Sequence, residues 1–465
     1  MKLDKDQEKA IKCIKNHSII IAGAGCGKTT TLIGKVDYLI KNHVKENEIL
    51  VLSFTNEAVN NFIQKCKYKI NVSTFHKTAL MFINNEYEIA DEYIIEDVIN
   101  SFLENISNRL KNKLFHIWYK YKKYSKENYK EFINDESSSS IKTIIKSSCK
   151  LIKTNNIDIN KINANKFTRE EFILLYIIKN VIDIYNNTLK ENNLIDFDDM
   201  IIMATKNLIN KKVFSHYKHV LVDEYQDISM IRLNFLKALI KSNDSILTAV
   251  GDDFQSIYQF SGSNISLFTN FDKYFKNAEK FFITNTYRCP YKIIKLSSKF
   301  ILKNKNQIKK ELTAINKNKC IYKKIYTSNH KKALYKLLKK IDLNKSILIL
   351  SRNTFDINNY LSKEIKHKDG KIIIKNKIYK NINFMTIHKS KGLEADIVIV
   401  LNLTSNYNGL PSKKTNKLFE KLLSYHEPIK YAEERRLFYV ALTRTKSDLY
   451  LIIDRNNSSV FINEV

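Results

Sequence analysis

Short apolar, mostly β-branched runs recur along the chain, and nearly every one stops at a polar or glycine-containing cluster. Ile19-Ile20-Ile21-Ala22 stops at Gly23, and Ile49-Leu50-Val51-Leu52 stops at Ser53. His219-Val220-Leu221-Val222 stops at Asp223-Glu224, and Ile246 to Val250 stops at Gly251-Asp252-Asp253. Lys280 to Thr284 leads into Asn285-Thr286-Tyr287-Arg288, and Val72-Ser73-Thr74-Phe75-His76 reads as a further strand end. Runs this short, bounded by turn residues and separated by helical periodicity, predict parallel strands buried on both faces. A second block repeats the pattern at Ser346–Leu350, Ile382–Thr386, Ile397–Leu401 and Asp448–Ile453. Leu3 to Ile14 reads as a short amphipathic helix carrying Gln7. From Lys77 to about Leu194 the period becomes helical throughout, broken by Asn- and Ser-rich joints, with Ser137 to Ser140 the clearest linker. Within it, Asn108 to Phe132 reads as helical, dense in Lys and interleaved with Tyr, Phe and Trp118. The expected fold is therefore α/β, with two parallel-sheet blocks and a helical insertion in the first. In open parallel sheets ligands sit outside the carboxyl ends of the strands. Two such blocks put two reactive rims on one chain, with a nucleotide able to sit between them.

The chemistry-bearing clusters sharpen that picture. Ala22-Gly23-Ala24-Gly25-Cys26-Gly27-Lys28-Thr29-Thr30 is a glycine-rich turn between a strand and a helix, with Ala22 where the simplest phosphate-loop pattern has its first glycine. Backbone N–H groups and a helix N-terminus surround phosphates in such a loop, Lys28 reaches the β- and γ-phosphates, and the Thr29 hydroxyl ligates Mg²⁺. Asp223-Glu224 at a strand end suits a metal-holding carboxylate followed by one that polarises an attacking water. A ligand-free glycine turn and an acidic pair that merely caps the next helix are the plain alternatives at each place.

Composition adds a partner class. The chain carries 78 basic and 48 acidic residues, a formal charge of +30, which is the footprint of a nucleic-acid or anionic-surface binder. Drift toward Lys, Asn and Ile, as an A/T-rich genome produces, is the competing account. Six cysteines occur without a CxxC pair, so neither zinc nor an iron–sulfur cluster is indicated and reduced thiols are expected. No apolar run reaches the length of a membrane span. Six of the nine glycines (Gly23, Gly25, Gly27, Gly251, Gly262, Gly392) fall inside or beside the clusters discussed here, as expected where turns or close phosphate approach need them.

Taken in order, the clusters resemble superfamily 1 DNA helicases of the UvrD/Rep type, closest in pattern to the helicase IV branch. Leu3 to Gln7 is similar to the Q motif, Ala22 to Thr30 to motif I, Phe54-Thr55-Asn56 to motif Ia and Thr74-Phe75-His76 to motif Ib. Asp196-Phe197-Asp198-Asp199 matches a short acidic signature, Val222 to Asp227 motif II, and Val250 to Tyr258 motif III. Thr286-Tyr287-Arg288 is similar to motif IV, Met385 to Glu394 to motif V, and Glu433 to Arg444 to motif VI. The set covers essentially the whole chain.

The resemblance implies two RecA-like domains, the first from residues 1–77 and 195–286, a helical insertion at 78–194 and the second domain at 287–465. About thirty residues separate Arg352 from Thr386, so the large accessory domain of Rep-like relatives is expected to be absent. It implies ATP and Mg²⁺ as cofactors and 3′-to-5′ translocation on single-stranded DNA with strand separation. Catalytic roles fall on Lys28, Asp223, Glu224, Gln255, Arg288 and Arg444, the last two as arginine fingers. Gln7 and Tyr287 would recognise the base, Gly392 and Glu394 would border the ribose and phosphates, and Thr29 with Asp223 would hold the metal. Thr30 stands where many relatives carry arginine, which weakens any base contact there. Phe54, Tyr258 and Phe260 would stack on DNA bases, with Thr55, Asn56, His76, Arg352, Thr386 and His388 on phosphates or sugars. His76 and His388 read equally as packing residues, and Arg435 or Arg436 as pairing with Glu433 or Glu434. The implied partners are single-stranded and 3′-tailed duplex DNA and possible replication or repair proteins, with no membrane, a monomer or weak dimer, and a cytoplasmic, nucleoid, viral-replication or nuclear setting. Two other readings stay open: a translocase that remodels complexes without processive unwinding, and a nucleic-acid binder with a decayed ATPase. The intact Lys28, Asp223, Glu224 and Arg444 argue against the second.

Overall fold

The computed structural model describes residues 3–83, 87–114, 139–413, 417–423, 425 and 427–465. The Lys-rich aromatic stretch beyond Leu114, with Trp118 and residues 137–138 of the expected joint, lies outside the described residues, while Ser139 and Ser140 open a helix rather than a linker. In chain order the strands are β1 (Ser18–Ala22), β2 (Ile49–Ser53), β3 (Asn71–Thr74), β4 (Glu88–Ile89), β5 (Leu194–Ile195), β6 (His219–Val222), β7 (Ile246–Gly251), β8 (Glu279–Ile283), β9 (Asn285–Thr286), β10 (Thr313–Ala314), β11 (Tyr322–Thr327), β12 (Ile347–Ser351), β13 (Ile365–Lys368), β14 (Lys371–Ile374), β15 (Lys377–Thr386), β16 (Ala395–Leu403) and β17 (Thr445–Asp454).

The first sheet runs β3-β2-β6-β7-β1-β8, all parallel. Its central strands are mostly apolar and buried at nearly every position because helices cover both faces. Ile19 and Ile21 enter one core with Leu50, Leu52, Val220 and Val222, while Ile20 and Ala22 enter the opposite core with Ile49, Val51 and Leu221. The strand order sorts the carboxyl ends: β3 and β2 deliver Thr74-Phe75-His76 and Phe54-Thr55-Asn56 on one side, β6 and β1 deliver Asp223-Glu224 and the glycine-rich loop, and β7 between them delivers Asp252 to Gln255.

The second sheet runs β11-β17-β16-β12-β15-β14-β13, parallel through β15 and closed by the antiparallel β13–β14 hairpin. The sequence pattern does not disclose β11, a half-exposed edge strand reading Tyr-Lys-Lys-Ile-Tyr-Thr, because its lysines break the apolar run. Nor does it disclose the hairpin, which fills the interval between Arg352 and Thr386 together with a 3₁₀ stretch at Thr354–Tyr360. The rim expectation also needs correction here. Arg352 and Thr386 do stand at carboxyl ends, of β12 and β15, but Glu394 precedes β16 and Arg444 precedes β17. Those two are therefore presented from the amino ends of their strands.

Between β4 and β5, which pair with each other, helices Ile94–Asn105, Ser139–Thr154 and Arg169–Glu191 share one core. Leu418 and Leu422 of helix Lys417–Leu422, from the second half of the chain, pack into that core, and Lys421 pairs with Glu171. The acidic signature has a structural part at the base of this unit. Asp196 caps helix Phe197–Ile209, and Lys153 near the end of helix Ser139–Thr154 bridges Asp196 (2.7 Å) and Asp199 (2.8 Å). Asn155 donates to the Gly262 carbonyl at 3.0 Å. Gly262 sits at φ +95°, and a Cβ there would lie 2.2 Å from Thr154 Oγ1, so only glycine permits this approach.

Candidate nucleotide and nucleic-acid site

Helix Lys28–Lys41 starts from Gly27 in a left-handed conformation (φ +78°) without a side-chain cap, which leaves its first N–H groups directed at the loop. Lys28 Nζ donates to Glu224 Oε2 at 2.8 Å, and Thr29 Oγ1 donates to Asp223 Oδ2 at 3.1 Å. Glu224 itself is left-handed (φ +52°), a conformation a glutamate adopts only when its surroundings hold it there. Here Gln226 Nε2 donates to its carboxylate at 2.5 Å, and its own N–H donates to Asp223 Oδ1 at 2.8 Å. Burial, reinforced by the neighbouring Glu224 charge, pushes Asp223 up to about 6. Burial acts the same way on Glu224, but Lys28 and Lys391 outweigh it and hold that carboxyl at about 2. Adjacent hard oxygens from Thr29 and Asp223 fit the donor set Mg²⁺ prefers.

The segment from β9 closes over this loop. Thr286 Oγ1 donates to the Ala24 carbonyl at 2.7 Å and the Tyr287 N–H to the Gly25 carbonyl at 3.0 Å. A Cβ on Gly25 (φ +73°) would fall 2.5 Å from Arg288 Cβ, so glycine is required for this contact as well. Gln7 is buried; its Oε1 accepts from the Asp4 N–H at 3.0 Å and its Nε2 donates to the Cys26 carbonyl at 3.4 Å. A carboxamide has two donor and two acceptor sites, so one of each is left for a ligand. The half-exposed Tyr287 ring reaches toward the same helix start, its hydroxyl 3.0 Å from Asp4 Oδ2.

Arg288 and Arg444 are both brought to this cleft but differ in freedom. Arg288 Nε pairs with Glu394 Oε2 at 2.7 Å. Arg444 is buried, donating to Gln255 Oε1 (2.9 Å), to the Val440 carbonyl (3.1 Å) and to the Leu393 carbonyl (3.2 Å). Burial, with Arg288 nearby, draws Arg444 down to about 9. Gly392 lies in the turn leading to Glu394 in a left-handed conformation.

Gln255 starts a segment that ends among aromatic rings. Tyr258, Phe260 and His388 form one cluster, with centroid separations of 6.0 Å (Tyr258–Phe260), 5.5 Å (Phe260–His388) and 6.4 Å (Tyr258–His388). Phe260 is 50% exposed there. Burial, with Arg352 and Lys391 close by, pulls His388 down to about 3, and burial with Arg232 pulls His76 down to about 4, so both are neutral near pH 7. His76 packs edge-on against Phe197, and Phe54 against Phe75 under Arg232, which leaves Phe54 less open than Phe260. Thr55 caps helix Asn56–Lys65, and Thr386 accepts from the Lys389 N–H. Arg352 pairs with Glu434 at 2.9 Å.

The expected pairing within Glu433 to Arg436 is not what forms. Arg435 makes two 2.7 Å bonds to Glu464, and Arg436 two to Glu427 plus one of 2.6 Å to the Ser256 carbonyl. Glu433 instead accepts from the Gln259 N–H at 2.9 Å. The helix Ala432–Leu442 is buried nearly all round, so its charged side chains find partners on other elements rather than along one face.

Three residues that the motif reading left without roles complete the site. Lys391 bridges Asp227 and the Gln255 carbonyl and lies 4.8 Å from the Tyr258 ring centroid. Gln226 joins Glu224 to the Asp252 N–H. Both sat inside quoted strings, where position alone could have flagged them. Lys310 gave no signal among so many lysines, yet it is fully buried between Asp252 (2.7 Å) and Asp253 (2.6 Å), over the Phe254 ring.

Comparison with known proteins agrees with this layout. A family model described as "UvrD/REP helicase N-terminal domain" matches residues 3–276, and one described as "UvrD-like helicase C-terminal domain" matches residues 367–456. A protein named "DNA helicase IV" from Escherichia coli is 29% identical across 99% of this chain and 69% of its own length. "ATP-dependent DNA helicase Rep" from Buchnera aphidicola subsp. Baizongia pistaciae is 29% identical across 87% of this chain and 59% of its own length. "ATP-dependent DNA helicase SRS2" from Saccharomyces cerevisiae is 30% identical across 52% of this chain and 22% of its own. The chain thus spans only part of the length of these relatives.

Proposed function

Because the chain belongs to the UvrD/Rep helicase family, we propose that it is an ATP-dependent DNA helicase that translocates 3′-to-5′ on single-stranded DNA and couples hydrolysis to strand separation. The observation that carries this reading is the Arg444–Gln255 contact, because the Gln255 segment continues directly to the Tyr258–Phe260–His388 cluster. One segment then spans from the phosphates to the bases.

In this reading residues 1–77 with 195–286 and residues 287–465 form the two jaws, and 78–194 the insertion. The loop from Ala22 to Thr30 receives the phosphates. Lys28 leaves Glu224 for the β- and γ-phosphates, which frees the Glu224 carboxylate to accept a proton from the attacking water. Thr29 and Asp223 hold Mg²⁺, which when bound offsets phosphate charge. Arg288 and Arg444 meet the charge that develops on the transferring group, Gln7 and Tyr287 meet the base, and Glu394 and Gly392 border the sugar and phosphates. Gln255 passes the change in Arg444 to the aromatic cluster. Phe54, Thr55, Asn56, His76, Arg352, Thr386 and His388 hold the strand with Tyr258 and Phe260.

Duplexes with a 3′ tail, a 5′ tail and an RNA tail test the proposal. Product strands are expected with ATP and Mg²⁺ from the 3′-tailed DNA alone. Hydrolysis stimulated by single strands without any product would sink the helicase reading in favour of a translocase that displaces proteins. The short hairpin between Arg352 and Thr386 is the observation that favours that second reading. Phe260→Ala is expected to weaken oligothymidylate binding by about 1–3 kcal/mol, the usual worth of one base–aromatic stack. An unchanged titration would move the base contact elsewhere.

A further inference from the structure

A groove of about 450 Å³ lies between the edge strand β11 and the segment His330–Ile341, outside every residue assigned above. Its floor is apolar, with Ile325, Leu337 and Tyr450, and its wall carries Lys332 and Lys336 one turn apart on helix His330–Leu338 and Lys340 in the turn that follows. All three lysines are exposed. The strand beside them is open. Among the described residues β11 pairs only with β17, and the Ile321 and Thr327 carbonyls accept from Leu449 in that neighbour and Arg455 just beyond it. Backbone groups alternate sides along a strand. Those of Tyr322, Lys324 and Tyr326 therefore face the free edge.

We propose that this groove binds an extended acidic segment of a partner protein, which adds as a strand to β11 and sets its carboxylates against Lys332, Lys336 and Lys340. Strand addition draws affinity from main-chain hydrogen bonds and selects by the side chains that fall at alternate positions. Side chains at alternate positions of the added strand face the groove, and acids at those positions would meet the lysine column. A second copy of the same edge is disfavoured, since the exposed Lys323 in mid-strand meets like charge. A nucleic acid would use neither the open N–H and C=O row nor the mostly aliphatic floor.

The probe is a fluorescein-labelled decapeptide alternating Asp with Ile, titrated by anisotropy at physiological salt. Binding is expected to weaken at least about tenfold in K332E/K336E/K340E and less than about threefold in the charge-matched control K206E/K237E/K241E, also at exposed lysines. The same peptide N-methylated at alternate residues should fail to bind the unaltered protein. Matching thermal melts establish that both triple variants are folded. Absence of peptide binding, equal loss in the two triples, or undiminished binding of the N-methylated peptide overturns the proposal. So does a groove triple that loses oligothymidylate affinity while holding the peptide as before.

Discussion

Glu224→Gln is expected to lower kcat for ATP hydrolysis by about 10³-fold, within the usual worth of a positioned general base, while nucleotide affinity holds or improves. The carboxylate now accepts from both Lys28 (2.8 Å) and Gln226 (2.5 Å). Gln keeps the shape and one acceptor oxygen but has no charge and cannot take a proton. Losing the ion pair also releases Lys28 toward the phosphates, so binding should not suffer. Glu224→Ala would be harder to read, because it removes the acceptor of Lys28 and leaves Gln226 with only its longer bond to Asp227 (3.4 Å). Single-turnover hydrolysis beside a fluorescent-nucleotide titration separates the two effects. Hydrolysis within tenfold of the unaltered protein would remove Glu224 from the base role.

Lys310→Met is expected to cost about 3–5 kcal/mol of stability, the range for breaking a buried ion pair by removing one partner. Asp252 and Asp253 would be left without their cation in a fully buried place. Burial pulls Lys310 down, and the two aspartates overcome it and raise it above an ordinary lysine, so it is charged throughout the neutral range. The disturbance should also reach catalysis, because Gln255 Nε2 donates to Asp252 Oδ2 at 2.6 Å. Urea midpoints measure the loss. Adding Asp252→Asn and Asp253→Asn to the same chain should recover part of it, since the stranded charges go with the lysine. A midpoint unchanged by Lys310→Met would mean that the triad is solvated.

Much of this was legible because the informative residues stand at the ends of buried strands, beside their own structural context. Lys28 and Thr29 are tied to β1 by the loop that joins them, and Asp223 and Glu224 directly extend β6, so reading the strand locates the chemistry. The lysine-broken edge strand β11 escaped for the opposite reason, since its pattern of half-exposed lysines and tyrosines does not separate it from a loop. The partners of Arg435 and Arg436 escaped because proximity on one helix suggests local pairing, whereas burial of that helix sends each guanidinium to a distant acid.

The sequence by itself determined the α/β class, the strand ends that carry the loop and the acidic pair, and membership of the family. The first two depend on periodicity and on residues a few positions apart, and the family on the resemblance of the ordered motifs along the chain. Only the tertiary structure decided which charge faces which: Lys310 against acids 58 and 57 residues away, Arg444 against Gln255 189 residues away, Lys391 against Asp227 164 residues away. In a chain with 78 basic residues, no local signal marks the few that are buried. What singles them out is the cost of removing a charge from water, which only a specific carboxylate or carbonyl across the cleft can offset.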